Sequence, residues 1–224
     1  MPAAAAVVLL TVSWQVAVDG PLLGLDRWVR GAVRSAHREL PGRPLDGAGH
    51  VLSDLGSGVP AVPVLLAAGV LAAWRWRRAV GGPGRGGWWL PLPVAAATAV
   101  LIPSLVVPAK AAFARPGPLG DPLTPEQWGW YPSGHTATAA FSYGVAALLL
   151  ARAAGPRAAR LVTAGAVLLA VGVGAGLVWS DFHWLLDVVA SWCLAVPALW
   201  ALDRWLPRPG GGGRSQASSG SSLR

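Results

Sequence analysis

Three observations predict an all-α fold: a six-transmembrane-helix bundle with a polar active site at its outer face. The chain is 54% hydrophobic and only 12% charged, with a mean hydropathy of +0.49, and soluble domains carry about twice that charge. Six apolar runs of 16 to 22 residues follow one another, close to the about 20 residues that cross a bilayer as a helix. The arginines lie between these runs or at the edge of one, never in mid-run. The formal charge of +8 therefore reads as a topology signal and not as a nucleic-acid footprint.

The first run, residues 3–18, is somewhat short for a span. It has no basic stretch before it and no small-residue cleavage site after it, so it is expected to be a retained helix and not a signal peptide. Residues 19–58 are mixed in charge. Leu25, Trp28, Val29, Ala32, Val33 and Ala36 recur there at helical spacing, with Arg27, Arg30, Arg34 and Arg38 between them. That pattern predicts an amphipathic helix lying on a membrane surface, although an ordinary solvated helix fits it nearly as well. The second span covers residues 59–74 and stops at Arg75, Arg77 and Arg78, ahead of a Gly/Pro-rich linker. The third covers 88–109 and carries prolines that neighbouring helices can accommodate. A proline-rich polar loop, 110–132, precedes the fourth span at 134–151. The fifth, 158–179, holds Gly172 and Gly176, a spacing that permits close helix packing and is expected to serve inside the bundle rather than at a dimer interface. Four residues, 180–183, lead to the sixth span at 184–202. Residues 1–206 form one membrane domain in this reading, and the Gly/Ser-rich stretch 207–224 a disordered cytoplasmic tail.

Six spans divide the charges into two sets. The connections around 75–87 and 152–160, together with the stretch from Asp203, hold eleven basic residues and one acidic residue, whereas the opposite side holds seven basic and nine acidic. The positive-inside rule then places both termini in the cytoplasm and turns the loops 19–58, 110–132 and 180–183 outward, in a multi-pass protein of the cell membrane. Many of the 13 tryptophans, among them Trp74, Trp88, Trp89, Trp130, Trp179, Trp184 and Trp205, fall at span ends. Aromatic belts account for them without a cofactor. The single cysteine, Cys193, excludes an intrachain disulfide and a multi-cysteine metal site. No HExxH, CxxC or Walker-type motif occurs, so neither a metal nor any other cofactor is expected.

The chemistry concentrates at the outward ends of the spans. In Tyr131–Ala140, YPSGHTATAA, Pro132 suits a helix entrance, Ser133 reads as an N-cap, and Gly134, His135 and Thr136 as the first turn. Unpaired N–H groups and the positive end of the helix dipole favour an anion there, phosphate above all. His135 would stand beside it as a proton donor. Lys110 ends the third span. His183 opens the sixth, with Asp187 four residues later on the same face, where a carboxylate can hold one imidazole nitrogen and leave the other free. Taken one at a time, these residues also fit a capped helix with a surface histidine and a histidine–aspartate pair that satisfies itself. Their recurrence at one membrane face favours a site, since ionisable groups are expensive there.

Lys110, then Pro132-Ser133-Gly134-His135, then His183-xxx-Asp187 resembles the type-2 phosphatidic acid phosphatase superfamily, whose motifs run K-x6-R-P, P-S-G-H and S-R-x5-H-x3-D. The resemblance extends over residues 1–206, because six spans with motifs in the third and fifth connections are the layout of the membrane branch. The second motif and the H-x3-D part of the third match fully. Gly117 stands where the first motif has arginine and Leu177 where the third has it, while Arg115-Pro116 lies two residues early. Arginine grips phosphate through two parallel hydrogen bonds, so both replacements remove a clamp.

The resemblance implies a metal-independent membrane phosphatase acting on a lipid phosphate or polyprenyl (di)phosphate. His183 would attack phosphorus with Asp187 orienting it, and His135 would protonate the leaving alkoxide. Lys110, Ser133, Gly134 and Arg115 would bind the phosphate, with Arg115 reaching back to replace the displaced arginine. The alternative is a non-catalytic lipid-phosphate-binding or scaffold relative of the same fold. A transporter fits less well, for lack of charge in mid-span. The partners expected are the lipid phosphate and membrane lipids, not nucleic acid. Oligomeric state leaves no signature in the sequence.

Overall fold

The computed structural model describes residues 1–39, 44–79, 87–120, 122–124 and 127–207, and the expected tail from 208 onward lies outside them. Among the described residues every regular element is an α-helix: α1 (Pro2–Ala17), α2 (Leu23–Glu39), α3 (Pro44–Leu55), α4 (Gly58–Ala79), α5 (Pro91–Phe113), α6 (Gly134–Ala151), α7 (Pro156–Trp179) and α8 (Leu185–Trp205). Five of them, α4 to α8, are long and apolar enough to cross a membrane. The sixth apolar helix, α1, has 16 residues, about 24 Å of rise against a hydrocarbon core of about 30 Å. It packs along α8. Val70, Val100, Leu161 and Leu168 face outward from the bundle, as side chains in contact with lipid do.

The axis of the bundle is α6, which packs against α4, α5, α7 and α8 and is the most deeply buried of the five. Small residues make this possible. Ala137, Ala139, Ala140, Ala146 and Ala147 are buried on different sides of it, and a Cβ added at Gly144 would stand 2.8 Å from Leu199 Cδ1. Close approach of this kind is how membrane helices gain packing energy when lipid is as apolar as leucine.

Arginine gathers at one end of the bundle. Arg78 lies 3.8 Å over the Trp74 ring, and Arg152 donates to the Leu206 carbonyl at 2.8 Å and to Asp203 Oδ1 at 2.7 Å. The opposite end carries the start of α6, the end of α5 and the turn between α7 and α8, and α2 and α3 cover it.

The helix expected within 19–58 is present as α2, with α3 beside it. α2 turns its polar side inward: Asp26 is buried, and Arg30 and Arg34 hold Asp181, while Leu25 and Trp28 are exposed. α3 was not foreseen. Its short, glycine-containing sequence carries a weak helical pattern, and its stability comes from what it packs on. The α7 glycines receive it: a Cβ at Gly176 would lie 2.7 Å from the Gly49 carbonyl oxygen and 2.9 Å from Leu52 Cβ, and one at Gly172 would meet Leu52 at 3.2 Å. The Gly172/Gly176 spacing thus docks a covering helix within the same chain.

Candidate active site

The start of α6 is built as the sequence predicts. Ser133 is extended (φ −67°, ψ 117°), and its Oγ accepts the Thr136 N–H at 3.3 Å. Two further bonds pin this N-terminus to α8. The Ser133 N–H donates to the Asp187 carbonyl at 3.1 Å, and the Ser191 hydroxyl donates to the Ser133 carbonyl at 2.8 Å. Both the Oγ and the N–H of Ser133 are therefore engaged within the protein, and the residue is fully buried. The amides of Gly134 and His135 are the ones left at the helix entrance. His135 is exposed to the hollow in front of them.

His183 is assembled differently. The turn that carries it folds back on α7, with Phe182 N–H and His183 N–H both donating to the Leu177 carbonyl, at 2.9 Å and 3.2 Å. Asp181 sits in the left-handed region at φ +56°, a conformation that aspartate tolerates better than most residues. Arg30 and Arg34 of α2 grip its two oxygens at 2.9 Å and 3.3 Å. Asp187 then receives His183 Nδ1 and the Trp184 N–H on Oδ2, each at 3.2 Å. A carboxylate at this point both caps α8 and fixes the imidazole tautomer. It leaves Nε2 as the nitrogen available to the hollow, which His183 lines together with His135. Burial lowers the His183 pKa below its ordinary 6.5, although the Asp187 hydrogen bond and charge pull it upward.

Lys110, in the last turn of α5, donates from Nζ to the carbonyls of Gly129 and Trp130 at 2.8 Å and 3.2 Å. It lines the same hollow as Gly134, His135 and His183. Beyond Lys110 the hollow runs into an apolar groove between α4, α5 and α6, lined by Val62, Ile102 and Val106. Lys110, Trp128, Gly134 and Thr138 belong to both.

Arg115 departs from expectation. Its guanidinium lies away from the hollow, buried between two carboxylates: Nη1 donates to Asp187 Oδ1 and Nη2 to Asp26 Oδ2, each at 2.5 Å. Ala114 closes α5 in the left-handed conformation at φ +44°, and the Trp130 N–H binds the Arg115 carbonyl at 2.9 Å. That turn aims the side chain beneath Trp184, 5.4 Å from the ring centroid, instead of back toward Lys110. Gly129, at φ +99°, allows the approach, because a Cβ there would stand 2.9 Å from Arg115 N. The two positions that lack arginine, Gly117 and Leu177, line the hollow beside His135 and His183 and are closely packed. A Cβ at Gly117 would press to 2.7 Å on the Trp130 ring, and Leu177 is 1% exposed within an apolar cluster that includes Tyr143 and Val173.

Asp26 is the site residue that sequence reasoning missed. Its signal was present: Asp26, Arg30 and Arg34 form an i, i+4, i+8 stripe flanking the apolar face of α2. The stripe looked like a solvated face because nothing in it says what lies beneath.

Six apolar helices with a histidine pair and a lysine gathered at one end define a multi-pass membrane protein. Residues 88–210, more than half of the chain, match the PAP2 superfamily, and the protein belongs to that family. Its fold is also that of a crystal structure described as the first transmembrane PAP2 type phosphatidylglycerolphosphate phosphatase from Bacillus subtilis. The TM-score is 0.73 at 20% sequence identity, over 92% of this chain and 98% of that one. Comparison with curated proteins finds no match.

Proposed function

We propose that the protein is an integral-membrane phosphatase that hydrolyses a lipid phosphate or polyprenyl (di)phosphate through a phosphohistidine at His183. The observation that carries this reading is one hollow shared by His183, His135 and Lys110 that continues into an apolar groove. It offers a phosphate its ligands and a lipid tail its surroundings in two adjoining pockets that share Lys110 and Gly134.

The phosphate sits before Lys110 and the Gly134 and His135 amides, which stabilise charge on its equatorial oxygens. His183 Nε2 attacks phosphorus, forming a P–N bond as the P–O bond to the lipid breaks. Asp187 holds Nδ1–H and offsets the positive charge that develops on the ring. His135 gives its proton to the departing oxygen. Water then attacks the phosphohistidine in line while His135 takes a proton from it, so the P–N bond breaks and inorganic phosphate leaves. Arg115 acts in this reading by holding Asp187 and not by touching phosphate.

The active site is assigned to the outward side from the gathering of arginine at the opposite end, with both termini in the cytoplasm. Phosphate release by purified protein from a panel of lipid monophosphates and polyprenyl diphosphates, with chelator present, tests the activity and its metal independence. Turnover that His183→Ala abolishes is the expected result. A protein that binds lipid phosphates without hydrolysing any of them would instead be the scaffold relative.

A further inference from the structure

Arg115, placed against Asp187, creates an electrostatic difficulty. The guanidinium holds the carboxylate that must itself support His183. Left alone, one arginine and one aspartate cancel, and the imidazole faces a neutral pair. The structure adds a second carboxylate. Asp26 Oδ2 accepts from Arg115 Nη2 at 2.5 Å, and Oδ1 accepts the Leu186 N–H at 2.8 Å, in the first turn of α8. Both oxygens thus receive N–H donors, the arrangement of an ionised carboxylate. Arg115, Asp26 and Asp187 are all buried, with side-chain exposures of 8%, 1% and 0%.

We propose that Asp26 is a positioning residue for the reaction: it supplies the negative charge that Arg115 takes from Asp187, so that the cluster behind His183 carries one net negative charge. This inference rests on the reading of His183 as nucleophile. Two aspartates and one arginine sum to −1, which the cation formed on His183 during attack brings to zero. Without Asp26 the same step would take the cluster from zero to +1 behind the ring, where Arg115 and Asp187 are buried and an uncompensated charge is costly. Asp26 lies on α2, outside the residues 88–210 that match the family, so this counter-charge comes from a part of the chain that the family match does not cover. Burial raises its pKa above the ordinary 3.8, against the Arg115 hydrogen bond and the Leu186 N–H that hold it down.

The charges around His183 come from every side. Asp187 lies beneath the ring with Arg115 and Asp26 behind it, Lys110 and His135 stand across the hollow, and Asp54 and Asp181 are in its wall. The test changes one member of this set at a time. Asp26→Asn keeps an oxygen for the Leu186 N–H and removes only charge. It should lower kcat by roughly 10- to 100-fold, the effect of one unit charge across a few side chains at an effective dielectric of about 20. KM should stay within about twofold, since Asp26 does not meet substrate. The His183 ring, followed by NMR titration in micelles and assigned by its loss in His183→Gln, should titrate at lower pH. Arg115→Gln should move it to higher pH, and Asp26→Glu should bring kcat back toward wild type.

Opposite shifts in the two variants identify a charge role, because a purely structural role would impair folding in both and leave the titration of the folded fraction in place. If Asp26→Asn cannot be purified, Asp26→Ser or Asp26→Gln takes its place, and a His183 titration at the wild-type pH in either of them overturns the proposal. An unmoved His183 titration overturns the proposal even where the enzyme is active. Shifts of the stated signs in a protein that releases no phosphate would support the charge arrangement and remove the phosphatase reading instead.

Discussion

The two helix N-termini that meet at the site are made in contrasting ways. The start of α6 is capped locally and only its backbone is pinned to α8: Ser133 caps the helix with its own side chain, and His135, two residues on, stays exposed to the hollow. The start of α8 is assembled from a distance. His183 is 8% exposed, its backbone held by Leu177, its ring by Asp187, and Asp187 in turn by Arg115, which Asp26 grips from its other side. The contrast matches what the proposed chemistry asks of each. A general acid has to exchange protons with water between turnovers and gains from exposure. A nucleophile gains from a fixed tautomer, which the carboxylate provides, and from a neutral ring, which burial favours.

The largest effect should separate the two histidines outright. His183→Ala removes the group that forms the covalent bond, and phosphate release should fall by about 10⁴-fold or more for every substrate. His135→Ala should lose about 10²–10⁴-fold on alkyl phosphates and much less on an aryl phosphate, whose leaving group needs no proton. Equal losses on both substrate types would erase the distinction drawn between the termini.

Stability should divide along the same line. Arg115→Ala leaves Asp26 and Asp187 buried without their cation, and breaking such a pair costs about 3–5 kcal/mol. Chemical denaturation in detergent would read it as an early midpoint. Ser133→Ala removes a single cap and should cost about 1 kcal/mol. If the order were reversed, the α8 terminus would not depend on the distant partners that set it apart.

The pH dependence is a smaller but sharper test. With the His183 pKa lowered by burial, the acid limb of kcat/KM should lie below the ordinary histidine value of 6.5. Folding should follow the same linkage. The unfolded chain takes up a proton near pH 6.5 while the native ring does not, so stability present above that pH declines as pH falls toward the native pKa. An acid limb above 6.5 would mean that the Asp187 interaction outweighs burial.

Much of this was readable in advance. Residues 134–151 form α6 with the bounds the sequence implied, because the cap, the first turn and the apolar run are neighbours in the chain and their physics is short-range. The His183–Asp187 pair was readable from its four-residue spacing, although the reason differs from a shared helix face: His183 precedes α8, and Asp187 in the first turn reaches back to it. Lys110 in the last turn of α5 was legible as an ionisable group at a span end.

The destination of Arg115 was not legible. Its distance from Lys110 along the chain suggested a reach toward phosphate, but the left-handed residue at 114 and the approach of Gly129 decide which way the side chain leaves the helix. Asp26 was hidden more completely. A carboxylate on an amphipathic helix looks the same from sequence whether it faces water or a guanidinium 89 positions away. Composition and periodicity determined that this chain is a helical bundle in a membrane with histidines at one end, because hydrophobic run length and local spacing are properties of the chain itself. Which charges stand behind His183 depends on separated segments meeting in a water-poor interior, where a Coulomb interaction is strong and specific, and only the tertiary structure decided that.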